Sequence, residues 1–154
     1  MKQSYDLAEK NILRNKLEKN IILINAALSK NDGISALSIS FSNPNSNSIS
    51  PANSIIGQRF DFDSSEKINT ISMESLITKF NLKSIDLLKM DCEGCEYDVL
   101  KNLPDEVYKM IKRLVLEFHD GLKFIPQLLE SKGFGCDYEH SEGIGVLIAS
   151  KLYF

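Results

Sequence analysis

The sequence predicts a single α/β domain with a mostly parallel sheet that ends in an antiparallel hairpin. From residue 84 onward, strand-like apolar runs alternate with amphipathic helical segments, as they do in consecutive strand–helix–strand units. The last two apolar runs are instead joined by the short connection "SEG", which is typical of an antiparallel hairpin. A chain of 154 residues with 43% hydrophobic and 25% charged residues fits one such domain, so we assign residues 1–154 to it.

The first third of the chain predicts one helix and two strands. Residues 4–19 place apolar side chains on one face and mostly charged or amide residues elsewhere, which indicates an amphipathic helix. The run "IILINAAL" (21–28) is typical of a buried strand, and "ISALSISF" (34–41) alternates like a half-exposed one. Because the turn-forming segment "SKNDG" separates them, we expect these two strands to be adjacent and antiparallel.

The middle of the chain predicts a loop, a strand and a capped helix. Residues 42–54 are rich in Asn, Ser and Pro and offer little to bury, so they are interpreted as a loop. Residues 67–72 are predicted to form a strand. The hydroxyl of Ser72 is expected to cap the helix that follows at 73–80.

The second half of the chain alternates regularly between strands and helices. The predicted strands are 84–91, 112–120, 134–140 and 144–150. Helices are predicted at 96–103 and at 122–132, the second with Gly133 as its C-cap. Pro104 is expected to open a further helical turn between them. Strand 84–91 is expected to lie parallel to strand 112–120, with a right-handed crossover between them.

Ionisable side chains accumulate at the carboxyl ends of these two strands, where open parallel sheets bind ligands. Lys89, Asp91 and, if the extended backbone continues, Glu93 fall on one side of the first strand. Glu117 and His119 share a side of the second. Charged groups at a largely buried strand are costly unless they are paired, so the pattern indicates either a functional site or a structural ion pair such as Lys89–Asp91.

The Cys-x-x-Cys motif at Cys92 and Cys95 has three interpretations. A zinc site needs a second ligand pair, and the candidates Cys136, His119 and His140 are scattered singly. A redox dithiol fits the strand-to-helix position, but nothing else in the sequence supports a redox fold. We therefore expect ordinary thiols that bind no metal and form no disulfide.

Composition disfavours several classes of partner. The formal net charge of -3 argues against a broad nucleic-acid or anionic-membrane surface. No apolar run approaches the roughly 18 residues of a membrane span, and the first residues lack the apolar core of a signal peptide. The expected location is the cytoplasm.

Two motifs give the chain a family resemblance. "IDLLKMDCEGCEYDVLKNL" followed by "IKRLVLEFHDG" closely resembles the FkbM-type family of S-adenosylmethionine-dependent methyltransferases. The residues that match the family's Lys-x-Asp-x-Glu-Gly-x-Glu signature are Lys89, Asp91, Glu93, Gly94 and Glu96. Those that match its Glu-x-His are Glu117 and His119.

The resemblance implies a Rossmann-like methyltransferase fold and methyl transfer from S-adenosylmethionine to a hydroxyl of a small-molecule acceptor, a sugar or natural product. Asn25 and Ala26 stand where such enzymes contact the adenine, and Asp91 would lie beside the methyl-donor end. We expect Asp91, Glu93 and His119 to form the reaction rim, with Lys89 and Glu117 orienting them.

The chain departs from the family pattern before Asn25, where no Gly-x-Gly occurs. We therefore expect it to lack the family's first two strands, to bind the cofactor weakly or not at all, and to associate with itself or with the upstream half of a split enzyme. Two other functions stay open: a non-catalytic remnant that acts as an interaction module, and a zinc-binding module built on Cys92 and Cys95.

Overall fold

The computed structural model describes residues 2–42, 47–49, 61–139 and 143–152. These ranges contain helices and strands in mixed order, which confirms the α/β class. The elements are α1 (Lys2–Arg14), β1 (Ala27–Leu28), β2 (Gly33–Ile39), β3 (Ser64–Ile71), α2 (Met73–Phe80), β4 (Leu88–Met90), α3 (Cys95–Asn102), α4 (Asp105–Met110), β5 (Arg113–Phe118), α5 (Ile125–Ser131), β6 (Phe134–Tyr138) and β7 (Gly145–Lys151).

The described strands form two sheets rather than one. The first sheet has the order β1-β3-β2 and the second has the order β4-β5-β7-β6. Among the described strands, β1/β3 and β4/β5 are parallel pairs, while β2/β3, β5/β7 and β6/β7 are antiparallel. The prediction of a mostly parallel sheet is therefore wrong for the described strands, but the parallel pairing of the strands predicted at 84–91 and 112–120 is confirmed.

The strand predicted at 21–28 is largely absent. Only its last two residues form β1, and residues 21–26 have no regular structure. No residue of this segment is buried, although its composition is strongly apolar. A strand needs a neighbour to receive its backbone hydrogen bonds, and among the described residues only β3 provides one, at Ala27 and Leu28.

The predicted adjacency of 21–28 and 34–41 is also wrong. β2 pairs along its whole length with β3, from Gly33 opposite Thr70 to Ile39 opposite Ser64. β3 therefore lies between β1 and β2 in the sheet. Helix α1 likewise ends earlier than predicted, at Arg14, because Lys16 adopts a left-handed conformation with φ of 58° and closes the helix.

The turn into α2 forms as predicted. Ser72 is the N-cap, and its hydroxyl accepts a hydrogen bond from the Ser75 backbone N–H at 3.2 Å. Asp32 supports the same corner by accepting from the Ser72 N–H at 2.6 Å. The loop predicted at 42–54 lies mostly outside the described residues, as does His140 in the predicted hairpin connection.

The core lies between the second sheet and helices α3, α4 and α5. Alternate residues of β5, namely Leu114, Leu116 and Phe118, are fully buried on the face that packs against these helices. The hydroxyl of buried Tyr108 donates to the Leu100 carbonyl at 2.6 Å, so its polar end is satisfied. This packing gives β4 and β5, and the residues that follow them, a rigid support.

The hairpin predicted at the end of the chain is present as antiparallel β6 and β7, which pair from Phe134 opposite Lys151 to Tyr138 opposite Leu147. The helix before it ends as expected, with Gly133 at φ of 83°. Within the described ranges, every helix is too short or too polar to span a bilayer.

Candidate functional site

The parallel pairing of β4 with β5 brings the carboxyl ends of the two strands together, with Met90 opposite Leu116. Asp91 follows β4 directly, and Glu117 and His119 lie at the end of β5. One oxygen of Asp91, one of Glu117 and one ring nitrogen of His119 all lie within 4.8 Å of one another. The structure thus places these three predicted site residues at one edge of the sheet.

Glu93 also lies at this edge of the sheet, but its backbone conformation differs from the extended one predicted. The extended backbone does not continue past β4: Glu93 has φ of 53° and Gly94 has φ of 103°. The hydroxyl of buried Ser48 donates to the Glu93 carbonyl at 2.7 Å, which holds this left-handed turn. As a result Glu93 Oε2 lies 3.6 Å from His119 Nε2.

His119 is held in place by Glu96, a residue that the sequence placed in the family signature but to which it assigned no role. The two side chains are 3% and 0% exposed, and His119 Nδ1 lies 2.9 Å from Glu96 Oε1. The His119 backbone N–H donates to the same oxygen at 3.2 Å, and the Gly94 N–H donates to Glu96 Oε2 at 2.9 Å. The sequence did contain a signal for this role. Glu96 is the second residue of helix α3 and lies next to core residues, and a carboxylate buried there needs a partner.

These groups form what we call the carboxylate–histidine cluster: Asp91, Glu93, Glu96, Glu117 and His119. Burial alone would lower the pKa of His119, but the hydrogen bond to Glu96 and the charges of Glu96, Glu93 and Glu117 outweigh it and raise that pKa above its usual value. Burial raises the pKa of Glu93, an effect that His119 opposes and that Asp91, Glu117 and Glu96 reinforce.

Lys89 lies at the margin of this cluster. Its ammonium is 3.0 Å from Asp91 Oδ2, and its side chain is 64% exposed. Such an exposed pair contributes little to stability. It leaves Asp91 Oδ1 directed towards His119 Nε2, at 3.9 Å.

The two cysteines of the motif form a disulfide, so the prediction of ordinary, unbridged thiols is wrong. Cys92 and Cys95 have their Cα atoms 5.5 Å apart, within the range that a disulfide spans. The turn at Glu93 and Gly94 folds the chain back on itself and brings the two sulfurs together. With both sulfurs in a disulfide, neither is a thiolate, which removes the ligand pair on which the zinc-binding alternative depends.

Asn25 and Ala26 line a separate cleft of about 390 Å³. Residues of α1, including Tyr5 and Ala8, form another wall, and Asn47 closes part of it. The volume is within the usual range for small-molecule sites, about 300–1,000 Å³. Because Asn47 lines the cleft while Ser48 bonds the Glu93 carbonyl, the segment 47–49 connects the cleft with the carboxylate–histidine cluster.

Residues 4–136 match the family described as the Methyltransferase FkbM domain. The chain belongs to the FkbM methyltransferase family. This confirms the resemblance drawn from the two motifs, and both motifs lie inside the matched range.

Three curated relatives are similar to parts of this FkbM-family chain. "Methyltransferase 1" of Beauveria bassiana (strain ARSEF 2860) is 43% identical over 65 residues, which cover 40% of the chain and 26% of the relative. "Methyltransferase sdnD" of Sordaria araneosa is 39% identical over 64 residues, 40% of the chain and 25% of the relative.

A third relative is much larger. "AMB antimetabolite synthetase AmbE" of Pseudomonas aeruginosa is 40% identical over 48 residues, 31% of the chain and 2% of the relative. The chain thus matches about a quarter of the length of the first two relatives and far less of the third. No solved structure matches it significantly.

Proposed function

We propose that this FkbM-family chain takes part in S-adenosylmethionine-dependent methyl transfer to a hydroxyl oxygen of a small molecule. The observation that carries the proposal is the carboxylate–histidine cluster, which lies at the carboxyl ends of two parallel strands in a chain of a methyltransferase family. Two relatives are named as methyltransferases and a third as an antimetabolite synthetase, which favours a natural product as the acceptor.

The described residues fit two parts of the cofactor. The cleft at Asn25 and Ala26 has room for a nucleoside, and the amide of Asn25 would accept from an adenine amino group. The carboxylates of Asp91 and Glu93 would favour a neighbouring sulfonium electrostatically. No glycine precedes Asn25, so the sequence up to that point offers no glycine-rich turn for the amino-acid part.

The cofactor, when bound, supplies an electrophilic methyl group with a neutral thioether as its leaving group. The protein's part is to align the acceptor oxygen and to accept its proton as the new bond forms. His119 is suited to the second task when neutral: Glu96 holds Nδ1, which leaves the lone pair of Nε2 directed at the cluster. Glu96 then stabilises the imidazolium that results, as the third member of a catalytic triad does.

Asp91→Asn tests the role of the cluster, with Asp86→Asn as the matched control. Asp86 precedes β4 and pairs with Lys112 at 2.6 Å on the exposed surface. Asp91 Oδ1 lies 3.9 Å from His119 Nε2, where its charge would stabilise the imidazolium that forms. Removing one such electrostatic stabiliser costs about 10²–10³ in rate, so Asp91→Asn should slow methyl transfer to an accepted hydroxyl compound by that factor. Asp86→Asn should retain the parental rate. Equal rates in both variants would assign the Asp91–Lys89 pair a structural role.

Calorimetry with S-adenosylhomocysteine tests cofactor binding separately. We expect weak binding that Asn25→Ala weakens further, because the contacts at the cleft must offset the cost of ordering a flexible ligand. A chain that binds no S-adenosylhomocysteine but forms a stable complex with another protein would instead be the non-catalytic interaction module.

A further inference from the structure

We propose that Asp91, Glu117 and His119 form a binding site for one divalent metal ion of the Mn²⁺ or Mg²⁺ class. Their ligand atoms, two carboxylate oxygens and one ring nitrogen, lie within 4.8 Å of one another. In an octahedral site with ligand bonds of about 2.1 Å, ligand atoms are about 3 Å apart when adjacent and about 4.2 Å apart when opposite. Small rotations of the two carboxylates therefore suffice to place all three atoms around one ion.

His119 is the observation that distinguishes this cluster from an ordinary acidic patch. The His119 side chain is only 3% exposed, and its Nε2 atom forms no hydrogen bond with any described residue. The nearest carboxylate oxygens of the described residues, on Glu93 and Asp91, lie 3.6 and 3.9 Å from Nε2, beyond hydrogen-bonding distance. The imidazole of this nearly buried side chain thus presents Nε2 to the carboxylates of the cluster.

Glu96 completes the arrangement found around histidines that bind metals. It accepts from the His119 backbone N–H and lies 2.9 Å from Nδ1. In the neutral ring this contact favours the proton on Nδ1, and Nε2 then presents its lone pair. A carboxylate in this position fixes the ring and raises its basicity as a ligand. Glu96 is therefore a positioning residue for the site and not a ligand.

The charge balance at the cluster also favours a cation. Three carboxylates, those of Asp91, Glu93 and Glu117, surround the Nε2 side of one imidazole. The ion pairs within the described residues give these carboxylates one ammonium, that of exposed Lys89. A divalent ion would neutralise the excess, and Glu93 would support it directly or through a bound water.

The mixture of ligands selects the class of ion. Carboxylate oxygens suit Mg²⁺ and Mn²⁺, and an imidazole nitrogen makes Mn²⁺ the better probe of the two. The binding of the ion rests on the cluster alone, whereas its contribution to the reaction rests on the proposed function. With Nε2 bound to the ion, polarisation of the acceptor hydroxyl would replace proton acceptance by His119, and Glu93 would be the neighbouring base. The test therefore uses the chain and Mn²⁺ without cofactor or acceptor.

Electron paramagnetic resonance of free Mn²⁺ measures binding to the EDTA-treated, dialysed chain. We expect one Mn²⁺ per chain, displaced by excess Mg²⁺, and at least a tenfold loss of affinity in Glu117→Gln. Glu106→Gln is the matched control, since Glu106 is exposed and pairs only with Lys109 among the described residues. Circular dichroism confirms that both variants fold.

A second readout needs no variant. Bound Mn²⁺ should broaden the ring resonances of His119 in the parent chain, because the ion would lie within bonding distance of Nε2. The proposal is overturned if the parent binds no more Mn²⁺ than Glu117→Gln does, or if binding leaves the His119 resonances sharp. Either result leaves the methyl-transfer proposal standing, and failure of methyl transfer with intact Mn²⁺ binding would reject that proposal alone.

Discussion

Replacing Glu96 with glutamine tests whether the buried Glu96–His119 pair organises the candidate site. Glu96 accepts three hydrogen bonds, from His119 Nδ1 at 2.9 Å, the His119 N–H at 3.2 Å and the Gly94 N–H at 2.9 Å. Both carboxylate oxygens are used: Oε1 accepts the first two bonds and Oε2 the third. A glutamine retains one oxygen and presents an NH₂ group in place of the other.

The expected cost follows from that exchange. If the glutamine oxygen occupies the Oε1 position, the half-buried Gly94 N–H faces a donor, which costs about 1–3 kcal/mol. The variant also loses the charge-assisted bond to a protonated His119, and such bonds contribute more than neutral ones. Part of that loss is offset because a buried carboxylate is removed. The net additional cost is about 1–2 kcal/mol. We expect Glu96→Gln to lower the free energy of unfolding by about 2–5 kcal/mol when His119 is charged.

The pH dependence has a defined sign. The folded-state pKa of His119 is raised above its value in the unfolded chain. The stabilisation from a charged His119 is therefore fully present below the unfolded pKa of about 6.5 and is lost as the pH rises through the folded pKa. In the variant, burial should dominate and lower the pKa of His119. The difference in stability between parent and variant should thus be larger at about pH 6 than at about pH 9.

Urea denaturation followed by circular dichroism, with EDTA present, measures the difference at both pH values. The control is Glu106→Gln, which removes an exposed carboxylate from α4 and should leave the unfolding free energy nearly unchanged at each. Nuclear magnetic resonance titration of His119 gives the pKa directly. A stability difference that is the same at both pH values, or an unchanged pKa of His119, would refute the assignment of Glu96 as its partner.

Two further predictions concern the turn after β4 and the hairpin. Because Cys92 and Cys95 are bridged, alkylation of the denatured, non-reduced chain should modify one cysteine, and alkylation after reduction should modify three. Intact mass counts the modifications, and three in both samples would show that the disulfide is absent. Gly145→Ala should cost about 1–3 kcal/mol, because its Cβ would lie 2.4 Å from the buried ring of Phe118. Gly135→Ala is the control, since its new Cβ would meet only the end of the exposed Leu152 side chain, which can move. Equal midpoints of thermal unfolding for the two variants would contradict the predicted clash with Phe118.

The sequence by itself determined the features that depend on local pattern. The alternation in β5 placed Glu117 and His119 on the side opposite Leu116 and Phe118, and the structure has the last two buried in the core. The Ser72 cap followed from side-chain chemistry within one turn. The family motifs also required no tertiary information, because they are contiguous stretches of the chain.

Only the tertiary structure decided which backbone segments find partners. The run "IILINAAL" has the composition of a buried strand, yet β3 pairs with only its last two residues and itself separates β1 from β2. Strand formation depends on a neighbour that supplies hydrogen bonds, and apolar composition does not specify that neighbour.

The same limit applies to the site. Glu96 meets His119 across 23 positions of sequence, and the left-handed turn at Glu93 both closes the Cys92–Cys95 disulfide and directs Glu93 towards His119. Sequence periodicity assigns a side chain to a face of its own element, which is why Glu117 and His119 were predicted together. It does not specify how a turn folds back or which buried charges pair, because those contacts depend on packing between elements distant in the chain.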